Sequence, residues 1–139
     1  MKRTITTFFK GAVLALLVLV SQSSVFASVE PDVISKAREA VASAPDNWYV
    51  LATSAETCFE KHTNLEEAKK WIDKSLSLQR NKYTLQVMGD YYMESDQPKK
   101  ALEYYVLSLQ KANEGESKTD VKAQQTKIAK AYKKIKASE

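Results

Sequence analysis

The sequence predicts an all-α chain built from antiparallel helix-turn-helix repeats, about six helices in all. Three observations carry this prediction. Only three Gly and three Pro occur in 139 residues, and both residue types interrupt helices and punctuate sheets. Apolar residues recur at helical spacing from residue 31 onward, with no sustained apolar–polar alternation that would mark a strand. One helical segment also repeats another at an offset of 33 residues.

Pro31 opens the first helix near its N-terminus, where a missing N–H costs nothing. Val33, Ile34, Ala37, Ala40, Val41 and Ala44 share one face of it. Pro45-Asp46-Asn47 ends this helix and offers an N-cap to the second, which spans about Trp48 to Glu60. The third follows Thr63-Asn64 and carries Leu65, Ala68, Ile72 and Leu76 on one face, until Arg80-Asn81 breaks it. The fourth covers about Lys82 to Glu94, and Ser95-Asp96-Gln97-Pro98 is a turn. The fifth runs from Pro98 to about Ala112. Asn113-Glu114-Gly115-Glu116-Ser117 reads as a loop, and the sixth helix spans about Thr119 to Ala137.

LEEAKKWIDKSL, residues 65–76, matches PKKALEYYVLSL, residues 98–109, at the offset of 33. The same offset sets Phe59 on Tyr92 and Ala55 on Met88. Ala68 and Ala101 are small, so two helices can approach closely there, and the bulky Phe59 and Tyr92 fill the space beside them. The chain then divides into a half unit 31–45, a unit 48–81, a unit 82–112 and a capping helix 119–137. Three helix pairs is about the minimum at which stacked repeats bury a continuous core.

These residues resemble the tetratricopeptide repeat (TPR), whose units pair a helix A with a helix B. Met88-Gly89-x-x-Tyr92 has the helix A pattern, and Ala101 with Tyr105 and Ser108 has that of helix B. In the earlier unit Glu56 stands where Gly or Ala is usual, and the turn Lys61-His62-Thr63-Asn64 lacks the family's glycine. Ile128-Ala129-x-x-Tyr132 looks like a final helix A. The resemblance implies a TPR-like α-solenoid over residues 28–139. A narrower likeness rests on Asn47-Trp48 and on Asn64-Leu65-Glu66-Glu67-Ala68-x-x-Trp71-Ile72-x-Lys74-Ser75. That pattern is similar to the helical C-terminal part of secreted bacterial proteins of uncharacterised function.

Helical wheels assign the remaining aromatics. Tyr92 and Tyr105 occupy packing positions, while Tyr91 and Tyr104, one position earlier, face either the neighbouring unit or solvent. On the sixth helix Val121, Gln125, Ile128, Tyr132 and Ile135 form the inward stripe. Lys122, Lys127, Lys130, Lys133 and Lys134 take the opposite side, as the polar outer face of an array's cap.

The first 27 residues read as a cleaved signal peptide. Lys2, Arg3 and Lys10 precede ten apolar residues from Gly11 to Val20, and Val25-Phe26-Ala27 meets the small-residue cleavage rule. The apolar run is shorter than the roughly 20 residues that span a bilayer, so no stable membrane anchor is expected after cleavage. The predicted location is exported, either periplasmic or secreted. Residues 28–139 carry 18 Lys and Arg against 17 Asp and Glu, and this near balance gives no reason to expect nucleic acid as a partner. One cysteine, Cys58, excludes an intramolecular disulfide.

Few residues carry chemistry. His62 is the only histidine and lies four residues after Cys58. The pair could share a helix face as thiolate and imidazole, but a thiol beside Phe59 reads as a small buried hydrophobe. One Cys and one His do not make a closed zinc site, and no phosphate-binding loop is present. No cofactor, metal or catalytic residue is expected. The leading functional reading is an interaction module that binds a protein or peptide segment or serves as an assembly adaptor. The resemblance implies a groove lined by helix A residues: Val50, Thr53, Thr57 and Glu60 in one unit, Tyr83, Gln86, Asp90 and Met93 in the next. The alternatives are a self-associating envelope protein, a homo-oligomer whose short arrays pair end to end, and an enzyme using Cys58 or His62.

Overall fold

The computed structural model describes residues 30–114 and 121–139. These residues form α1 (Glu30–Ser43), α2 (Trp48–Glu60), α3 (Leu65–Leu78), α4 (Lys82–Glu94), α5 (Pro98–Asn113) and α6 (Val121–Ala137), with no strand among them. The expected leader, its cleavage point and the loop at Gly115 lie outside the described residues. Among the described residues no helix is long and apolar enough to cross a membrane.

Local chemistry explains the helix boundaries. The Asn47 side chain accepts from the Tyr49 and Val50 amides at 3.0 and 3.2 Å and caps α2. Asn81 and Thr84 form a reciprocal capping box at the start of α4. Pro98 occupies the first turn of α5, where no amide is needed. Glu66 and Glu67 sit in the first turn of α3, at the positive end of its dipole. Glu67 also accepts three bonds from the Arg38 guanidinium at 2.6, 2.8 and 3.1 Å, which ties α1 to α3.

The turns after α2 and α4 close without glycine. His62, Asn64 and Asp96 adopt left-handed backbone, at φ of 53°, 51° and 56°. Asn and Asp tolerate this region because their short polar side chains bond locally. After α2, the Thr63 amide donates to the Cys58 carbonyl at 3.0 Å; after α4, the Gln97 amide donates to the Tyr92 carbonyl at 2.8 Å. These equivalent bonds are 34 residues apart, as are the starts of α2 and α4, whereas the starts of α3 and α5 are 33 apart. The first turn holds residues 61–64 and the second only 95–97.

The expected frame is therefore corrected in the A helices. Ala55 corresponds to Gly89, Phe59 to Met93, Cys58 to Tyr92 and Glu56 to Asp90. Burial agrees at two of these pairs, since Ala55, Gly89, Phe59 and Met93 are all buried, whereas Cys58 is fully buried and its counterpart Tyr92 half-buried. The small residue sought at Glu56 is Ala55. In the B helices the frame of 33 stands. Ser75 donates to the Trp48 carbonyl at 2.6 Å, and Ser108 to the Lys82 carbonyl at 2.7 Å. Each hydroxyl ties the far half of α3 or α5 to the first residue of the helix before it.

The core runs between the helices as two joined clusters. Leu51, Ala52, Ala55 and Phe59 of α2 meet Ala68, Trp71 and Ile72 of α3, with Val87 and Met88 of α4. Met93, Ala101, Tyr105 and Ala131 join α4, α5 and α6. The tyrosine pairs fill the seams. Phe59, Tyr91, Tyr92 and Tyr104 form a row with successive ring centroids 5.6, 5.2 and 5.3 Å apart. Tyr105 is the fully buried member. Tyr91, Tyr92 and Tyr104 are half-buried against the core, so the stripe places Tyr92 too deep.

α6 differs from its expected orientation. Its buried residues are Gln124, Ala131 and Ile135, whereas Gln125 and Tyr132 are exposed. Lys127, assigned to the wet face, is half-buried and turned toward α4. Small Ala131 lets the helix close on Tyr105, and Lys127 finds a buried carboxylate there.

Candidate functional site

α2 packs beside α4, and α6 rests on α5. α4 and α6 are linked chiefly through long side chains: Lys127 to Asp90, and Lys134 to the Met93 carbonyl and the Asp96 carboxylate. Beside these bridges lies a cleft of about 320 Å³. Phe59, Met93 and Tyr105 supply its apolar surface. Glu60, Asp90 and Glu94 supply acid, and His62, Lys127 and Lys130 supply the basic groups. The cleft continues past His62 and Glu94 into a basin bordered by Lys130, Lys133, Lys134 and Ala137.

Asp90 is the hinge of the polar arrangement. Its side chain is 16% exposed and accepts from the Lys127 ammonium at 2.5 and 2.6 Å and from the Tyr105 hydroxyl at 2.8 Å. Burial raises the carboxyl above its ordinary range, while Lys127 and Tyr105 oppose that rise. The Tyr105 phenol is raised by burial and by the charge of Asp90. The expectation that Asp90 is an open acid of the groove is thereby corrected: its oxygens are engaged from α5 and α6.

The same repeat position in α2 carries Glu56, which accepts from the Tyr83 hydroxyl at 2.5 Å. Burial raises Glu56, with the Tyr83 bond opposing; burial and that same bond raise the Tyr83 phenol. α2 and α4 thus each hold a sheltered acid, Glu56 bonded from α4 by a neutral phenol and Asp90 bonded from α6 by an ammonium.

Of the eight expected groove residues, Glu60, Asp90 and Met93 meet in the cleft, and Met93 is buried. Thr53 and Thr57 line a separate hollow against α1. Tyr83 is held on Glu56, while Val50 and Gln86 are half-buried and line neither space. Sequence reasoning missed Phe59, His62, Glu94, Tyr105, Lys127 and Lys130 as cleft residues. Glu94, Lys127 and Lys130 showed only opposite charge on α4 and α6, as any wet helix face could, and Phe59 and Tyr105 read as packing residues.

The Cys58–His62 pairing is not formed on a helix face, because α2 ends at Glu60 and His62 lies in the left-handed turn beyond it. The His62 Nδ1 contacts the Glu94 carboxylate. Cys58 is fully buried, and burial pushes its thiol above the ordinary range. Among the described residues no three or more His, Cys, Asp or Glu side chains cluster as a metal site would need. Compared with family models, curated proteins and solved structures, the chain matches none.

Proposed function

We propose that this chain is an exported, TPR-like interaction module that binds a protein segment or serves as an assembly adaptor through the cleft between α4 and α6. The observation that carries the proposal is the cleft's composition. An apolar floor of Phe59, Met93 and Tyr105 lies under side chains of both signs, with Glu60 and Lys130 exposed at its edge. Met93, the most open of the three at 8%, offers the apolar contact of this floor, and Met adapts to irregular partners. Charged edges select orientation and act mainly on association rate. The matching segment is extended, with apolar residues set between charges of both signs. Export rests on the basic residues, apolar run and small-residue site within residues 1–27. No catalytic role is proposed.

A fluorescence-anisotropy screen of segments of that composition tests the reading. Glu60→Lys and Lys130→Glu should each weaken binding about tenfold without changing helix content, mainly through association rate. Lys122→Glu, on the outer face of α6, should leave binding unchanged. Binding that follows Lys122 and ignores Glu60 and Lys130 would refute the cleft.

A further inference from the structure

Among the described residues the order of helices leaves a single unpaired helix at each end. α3 packs against α4 as α1 packs against α2 and α5 against α6, while α2·α3 and α4·α5 are the hairpin pairs. α1 is therefore a B helix with no A helix before it among the described residues, and α6 is an A helix with no described B helix after it.

Both ends leave apolar surface. At the α1 end a hollow of about 290 Å³ is lined by Val33, Ala37, Ala40 and Thr57, together with the exposed ion pair of Asp32 and Lys36. It lies between α1 and α2, where a preceding A helix would rest. At the α6 end Tyr132 is 55% exposed and Val106 38%. Leu102 shares a helix face with Val106, and Ile128 with Tyr132; Leu102 and Ile128 pack on one core cluster. That face is where a following B helix would rest.

The two ends also carry opposite charge. Residues 30–60 hold six acidic and two basic side chains, net −4; residues 121–139 hold six lysines against Glu139, net +5. Like ends repel and unlike ends attract.

We infer that this chain assembles head to tail with copies of itself. α6 of one copy seats in the α1–α2 hollow of the next, and that copy's α1 covers the face of Val106 and Tyr132. The junction completes one A–B helix pair, and the helix alternation continues unbroken across copies. Such a contact joins two different surfaces, so it propagates into a filament or closes into a ring. This inference does not rest on the cleft as a binding site; Glu60, Lys127 and Lys130 enter it only through the net charge of the two ends.

Sedimentation of the protein purified after export tests it. Mass should grow with concentration beyond two copies, and association should weaken about tenfold between roughly 0.1 and 1 M salt, as the Debye length falls from about 10 to about 3 Å. Ala40→Lys blocks the acidic end and Tyr132→Asn the basic end, and each alone should be monomeric. Mixed in equal amounts, each supplies the end that the other lacks, so they should form a dimer and nothing larger. Circular dichroism checks folding, and Thr57→Lys replaces Ala40→Lys should that variant unfold. A parent protein that stays monomeric, an association indifferent to salt, or a mixture no heavier than its parts would overturn the inference.

Discussion

Gly89→Ala is the sharpest test of how α4 meets α5. A Cβ built on Gly89 would lie 2.4 Å from Cε1 and 2.5 Å from Cδ1 of Tyr105, well inside contact distance. The ring cannot recede freely, because Tyr105 is buried and its hydroxyl donates to Asp90 at 2.8 Å. Overpacking of this kind costs about 1–3 kcal/mol. Breaking the hydrogen bond to the carboxylate adds about 1.5–3 kcal/mol. Alanine's better helix propensity returns about 1 kcal/mol. The net is a loss of about 1 kcal/mol if the bond survives and about 3 kcal/mol if it breaks. For a domain near 100 residues, about 1 kcal/mol lowers Tm by roughly 4–8 °C and about 3 kcal/mol by roughly 12–24 °C. Thermal unfolding followed by circular dichroism reads this directly. In a Tyr105→Leu background the penalty of Gly89→Ala should fall by more than half, since the obstructing atoms belong to the ring. A Gly89→Ala protein that melts at or above the parent temperature would mean that helix propensity alone acts there and that the close approach is wrong. The equivalent Ala55 faces no such limit, because Ile72 stands in the earlier unit where Tyr105 stands in the later one.

Lys127→Met should destabilise by about 1–3 kcal/mol near neutral pH, less than a fully buried pair because Lys127 is 32% exposed. Asp90 already has a raised carboxyl, and losing the cation raises it further; the charged form carries the penalty, so the deficit should shrink as pH falls through that raised pKa and Asp90 protonates. Urea titrations at neutral and acid pH check this, and a deficit that grows toward acid pH would contradict it. Asn81→Ala removes the capping box of α4 and should cost about 1 kcal/mol by denaturant titration, without loss of helix elsewhere. Cys58 should resist a thiol-specific reagent in the native protein and react fully in denaturant, because it is buried with its thiol pushed up; rapid native labelling would place it at the surface.

The sequence by itself determined the helices and much of their punctuation, because those signals are local. Asn47, Asn81 and Pro98 act within a turn of where they stand, and α2 and α4 begin and end where their caps and apolar spacing predict. Ala68, Ala101, Ser75 and Ser108 were legible as contact positions because α3 and α5 repeat without insertion. Tertiary structure decided the frame of the A helices. One extra residue in the first turn is absorbed by the left-handed backbone of His62 and Asn64, which shifts every pairing upstream from 33 to 34. That shift put Met93 in the core and left Tyr92 in a seam. The face that α6 turns inward was likewise beyond the wheel, which fixes angles between residues of one helix but not the helix's rotation against its neighbours. Contact between Ala131 and Tyr105 and the reach of Lys127 to Asp90 set that rotation, and both partners are distant in sequence. Glu60, Asp90 and Met93 therefore became a cleft only once α6 had supplied Lys127 and Lys130 as its other wall.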